Sequence, residues 1–69
     1  MKDYSRTEIK EAIDEWVVGR NAHRDRAVLR SRLIDGFTYE ALAEQYDMSV
    51  AQIKRIIYKR QEVLFRHLK

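Results

Sequence analysis

The stretch Thr38–Tyr58, TYEALAEQYDMSVAQIKRIIY, decides how this chain folds. Thr38 supplies the side-chain oxygen that a helix N-terminus needs, and Glu40 in the first turn suits the positive end of the helix dipole. Leu42, Ala43 and Tyr46 fall on one inward face of a short helix over about Tyr39–Tyr46. Asp47-Met48 makes a tight turn. Ser49 then opens a second helix, and Gln52 three residues on completes a capping box. Ile53, Ile56 and Ile57 continue at helical spacing. Two helices joined by about three residues form a helix-turn-helix. Small Ala43 allows a close crossing, Met48 plugs the turn, and Ile53 and Ile56 press the second helix onto the first. Asp47 stands at the turn position where the backbone is left-handed, a place that often holds glycine. Asp tolerates that conformation better than most residues.

Outward from this motif the rest also reads as helix. Ser5 and Glu8 form a capping box, and Ile9, Ile13, Trp16 and Val17 lie on one face of a helix over about 5–18. Gly19 is expected to stop it, and Trp16 to anchor the core. A second helix runs over about 22–35. Ala22, Leu29 and Leu33 share a face that Val28 and Ile34 widen, and Gly36 is the stop. The fourth helix carries Val63, Leu64 and Leu68 to the chain end, with Phe65 off its side. The fold class is all-α, a compact bundle of about four helices containing the helix-turn-helix.

Composition narrows the chemistry. Sixty-nine residues hold one small domain. With no cysteine there is no disulfide, thiolate metal site or cysteine nucleophile. His23 and His67 sit in no metal-ligand spacing, and no glycine-rich phosphate loop occurs. The expectation is a non-enzymatic domain with no cofactor and no bound metal. No apolar run approaches the ~20 residues of a membrane span and no signal peptide opens the chain, so a cytoplasmic location is expected.

The net charge of +3 hides an alternation. Residues 1–19 carry three basic and five acidic side chains, 20–34 five and one, 35–48 none and four, and 49–69 six and one. A basic block on the last helix is the electrostatic footprint of a nucleic-acid binder, or else a solvated face with internal ion pairs.

The runs RDRAVL (24–29), RLIDGFTYEALA (32–43) and MSV (48–50) resemble the C-terminal region of bacterial sigma factors. In that family the region reads the −35 promoter element through a Thr-capped helix, a turn and a recognition helix beginning Ser-Val. The likeness covers about residues 22–60 and extends to small stand-alone sigma-like proteins of bacteria, phages and mobile elements. It implies a regulator of transcription that reads duplex DNA and can also touch RNA polymerase. Sixty-nine residues cannot also hold the part with which a sigma factor grips the polymerase core.

On this reading the recognition helix starts at Ser49 and lies in the major groove. Gln52 can pair bidentately with adenine and Arg55 with guanine, while Ala51 or Val50 meets a thymine methyl. Gln52 can instead be spent on its own cap. Thr38 and Ser49 at helix N-termini, with Lys54, Tyr58, Lys59 and Arg60, are the phosphate partners. Tyr58 can alternatively lie against the core. The stripe Val63, Leu64, Phe65 and Leu68 has two readings. It is a homodimer surface that sets two recognition helices ~34 Å apart, or it closes a monomeric core on Ile9, Ile13 and Trp16. The rival function is a protein–protein module that binds polymerase or an antagonist without touching DNA.

Overall fold

A computed structural model describes residues 4–68. Four helices follow one another: α1 Arg6–Trp16, α2 Ala22–Leu33, α3 Tyr39–Gln45 and α4 Val50–His67. Three of the four starts are the side-chain caps that the sequence announces. Ser5 Oγ accepts from Glu8 N–H and Glu8 Oε1 from Ser5 N–H, each at 3.1 Å. Thr38 Oγ1 accepts from Ala41 N–H at 3.0 Å. Ser49 and Gln52 make the second reciprocal pair at 2.9 and 3.1 Å. Each cap satisfies backbone donors that a helix start leaves without partners, worth ~1 kcal/mol.

α2 starts differently. Its cap, Asn21, is left-handed (φ 61) and its side chain makes no capping bond. Nor is Gly19 the stop of α1. The helix ends at Trp16, and Val17 turns extended with its N–H still donating to Ile13 O. Val17 then drops into the core, 1% exposed, and left-handed Gly19 (φ 89) lies inside the connection to α2. Burial of the Val17 side chain favours leaving the helix two residues before the glycine.

α3 and α4 are joined by Tyr46–Ser49, and Asp47 takes the left-handed conformation expected there (φ 54). Met48 N–H donates to Ala43 O at 2.9 Å and closes the turn. The core draws on every helix: Ala12 and Ile13 of α1, Val28 and Leu29 of α2, Leu42 and Ala43 of α3, Ile53, Ile57 and Leu64 of α4, and Val17 between. α4 packs on each of the other three helices. Its 18 residues make it ~27 Å long against a longest molecular dimension of 32 Å. Its two ends therefore serve different neighbours, α3 near Val50 and α1 near Leu64.

One side chain departs from the sequence reading, and another decides between the two readings of the last stripe. Trp16 is 37% exposed, a rim residue whose ring lies flat on His67. Leu64, assigned to a dimer surface in one reading, is fully buried in the chain's own core. Leu68 and Ile9 pack partly buried against that core. α1 needs cover for its apolar face, and the end of α4 supplies it. Among the described residues no helix is long and apolar enough to cross a membrane.

Candidate nucleic-acid interface

α4 turns one face inward and one outward over its first three turns. Ile53 and Ile57 are buried, and Val50, three residues before Ile53, lies on the same stripe and is half-buried against the core. Val50 is therefore not on the outer face, where a thymine methyl would have been met. Ala51, Gln52, Lys54, Arg55, Tyr58 and Lys59 are exposed, as are the capping residues Thr38 and Ser49.

Gln52 holds its own cap: its Oε1 accepts from Ser49 N–H, and its amide NH₂ has no partner among the described residues. A base contact from Gln52 would use that NH₂ and the second lone pair of Oε1. Arg55 stands between α4 and the start of α2. With Arg24 and Ile56 it forms the common wall of two shallow hollows of about 200 and 170 Å³, with Arg20, Asn21 and Lys59 lining the first and Met48 and Gln52 the second.

On the other flank, α3 meets α4 through aromatic rings. The Tyr39 ring lies under the Arg32 guanidinium, 4.3 Å from Cζ to the centroid, with Lys54 Nζ at 5.4 Å. Tyr58 meets the Tyr39 ring edge-on, centroids 6.4 Å apart and planes at 83°. Tyr58 is 56% exposed, so it is not a core residue. The neighbouring Tyr39 phenol, by hydrogen bonding and then by charge, pushes the Tyr58 hydroxyl above the usual tyrosine value, some desolvation adds to this, and Arg32 opposes it.

Electrostatics sort the cations of α2 and α4 into two groups. All four arginines of α2 are engaged inside the chain. Arg24 donates to Asp25 at 3.1 and 3.2 Å, Arg26 to Val17 O at 2.8 Å, Arg30 to Asp14 at 3.2 Å and Arg32 to Phe37 O at 2.9 Å. On α4, Arg66 pairs with Glu62 at 3.3 Å. Arg60, expected among the phosphate partners, turns inward. Its guanidinium donates to Asp25 Oδ2 at 2.9 Å, Val18 O at 2.9 Å and Arg20 O at 3.0 Å. Its fork is filled from three directions, which takes it out of the outward set. Lys54, Arg55 and Lys59 remain, with no ion pair or hydrogen bond among the described residues. They occupy consecutive turns of the exposed face.

Sequence reasoning missed the buried carboxylate of Asp25. Its trace was there, as the one acid in an arginine-rich block. Nothing in the sequence tells that its second arginine comes from a residue 35 positions away. Among the described residues no three His, Asp or Glu side chains are placed to hold a metal ion. Compared with protein-family models, characterised proteins and solved structures, the chain gives no significant match.

Proposed function

We propose that this chain is a small transcription regulator that binds double-stranded DNA sequence-specifically, with the first three turns of α4 in the major groove. The sorting of cations carries the reading. Near its C-terminal end α4 balances a cation with a nearby acid, Arg66 with Glu62. The first three turns of α4 instead hold Lys54, Arg55 and Lys59 with no acidic partner among the described residues, while every arginine of α2 is neutralised or hydrogen-bonded internally. A helix with its side chains matches the ~12 Å width of the major groove. Arg55 reads a guanine edge, Gln52 and Ala51 contact neighbouring bases, and Lys54, Lys59, Tyr58, Ser49 and Thr38 hold phosphates. The resemblance to the promoter-reading region of sigma factors supports the same assignment and makes RNA polymerase a second candidate partner.

Fluorescence anisotropy with a mixed-sequence duplex at ~50 and ~200 mM salt tests this. Three to six phosphate contacts, each releasing a counterion, should weaken binding by ~40- to 2,000-fold over that range. A folded protein that does not bind at the lower salt overturns the proposal.

A second reading, docking to a protein without DNA contact, draws on apolar side chains left exposed in the connection before α2 and near the end of α4. Val18 is 56% exposed and Phe65 38%. Co-purification with polymerase that survives Val18→Asp and fails to respond to Arg55→Ala would count against both surfaces. Loss with Val18→Asp alone would favour docking.

A further inference from the structure

We infer that Asp25 and Arg60 are positioning residues that fix the rotation of α4 about its own axis, and so decide whether the helix discriminates between DNA sequences. The inference rests on the proposed DNA reading and goes beyond it, because neither residue lies on the outer face of α4.

The seam that holds α4 in place is otherwise apolar, built from Ile53, Ile57 and Leu64. Apolar burial is proportional to area and carries no direction, so it resists separation far better than it resists rotation. Arg60 supplies direction. Its planar fork is satisfied at three points: Asp25 of α2, and the Val18 and Arg20 carbonyls of the connection before α2. Asp25 is held in turn, since its other oxygen accepts from Arg24. Side-chain exposure is 16% for Arg60 and 7% for Asp25, so water offers these groups little alternative.

The connection is shaped for this contact. The orientation of a carbonyl depends on its own residue's ψ together with the φ of the residue that follows it. The residues that follow Val18 and Arg20 are Gly19 and Asn21, both left-handed at φ 89 and 61. Arg26 holds the same segment through Val17 O at 2.8 Å. Two unusual φ angles and two arginines thus converge on five residues.

Rotation matters because of leverage. Side-chain ends lie ~6 Å from a helix axis, so a turn of only ~20° carries Arg55 sideways by ~2 Å. Bidentate base contacts must be held within ~0.5 Å, whereas phosphate contacts from flexible lysines follow the backbone. Loss of the pin therefore removes sequence discrimination and spares general affinity. A buried ion pair is weak evidence of stability, and fixing one arrangement among several is the better-attested use.

The test uses the full chain, a duplex recovered from a random library by selection on the wild type, and a mixed-sequence duplex of equal length. For Asp25→Asn and Arg60→Lys the ratio of the two affinities should fall at least ~10-fold, with the mixed-sequence affinity within ~2-fold of wild type per folded molecule. Arg30→Lys, at the exposed pair with Asp14, should keep the ratio. A purely structural role lowers the folded fraction and scales both affinities alike, so it leaves the ratio unmoved even if one variant is partly unfolded. If the wild type discriminates and both variants keep its ratio, the positioning role is overturned while the DNA reading stands. If the wild type shows no binding to either duplex, the DNA reading fails and this inference fails with it.

Discussion

Trp16 and His67 stack face to face, ring centroids 3.7 Å apart and planes 4° from parallel. On the other flank of the last turns of α4, Phe65 stacks on Tyr4 at 6.2 Å. Leu64, fully buried, and Leu68 fill the space between them against α1. The end of α4 is thus seated on α1 by an apolar centre with an aromatic contact on each side. The largest side chain of the protein stands at the rim of this seat, not within it.

The stability cost of truncation should therefore run against side-chain size. Leu64→Ala should cost ~2–5 kcal/mol through transfer and cavity terms. Trp16→Ala should cost less, ~1–2 kcal/mol, because part of the indole is already in water and its stacking contributes ~0.5–1.5 kcal/mol. Urea denaturation of the two variants checks the order. A larger loss for Trp16→Ala would return tryptophan to the centre of the core.

The left-handed turn residues give a pair of opposite expectations. Asp47→Gly relieves a side chain at φ 54 and should stabilise the chain by ~0.5–1 kcal/mol. Gly19→Ala meets no atom within 4 Å, so its cost of ~1 kcal/mol is backbone strain alone at φ 89. Thermal melts should shift by several degrees in opposite directions for a domain of this size.

Tyr58 should titrate above the ordinary phenol because of Tyr39. Its folded value is raised, so the contribution is complete below the unfolded value near 10 and is lost as pH rises through the folded value. Tyr39→Phe should bring the Tyr58 transition back toward the ordinary value in an ultraviolet absorbance titration. An unchanged transition would show that Tyr39 does not set it.

On the DNA face, the three unpaired cations should separate by role. Arg55→Ala should relax preference at one base position, costing ~1–3 kcal/mol on the selected sequence. Lys59→Ala should weaken all sequences alike and reduce the salt slope by about one contact. Measured affinities on matched and mismatched duplexes at two salt concentrations distinguish these outcomes. Equal loss on every sequence for Arg55→Ala would reassign it to phosphate.

Local chemistry was legible in the residues themselves. Caps at Ser5, Thr38 and Ser49 act within three positions of their own backbone, and the left-handed Asp47 answers to its turn, so short-range pattern was enough to place them. The same holds for the outward Arg55 and Lys59, whose exposure follows from the burial of Ile53 and Ile57 at helical spacing. What pattern could not supply was competition between distant groups. Val50 and Arg60 both looked outward on the helix, yet one joins the buried stripe and the other finds three acceptors in α2 and the connection before it. Trp16 had the right spacing for the core, yet it is the last residue of α1 and lies at the rim on His67, while Ile13 and Leu64 fill the centre.

The sequence by itself determined four helices, three of their capped starts, the left-handed turn and the cationic character of the last helix, since each depends on neighbours along the chain. Only the tertiary structure decided which cations remain free. Ion pairs and hydrogen bonds are settled by which groups meet in space, and Asp25 and Arg60 meet across 35 residues.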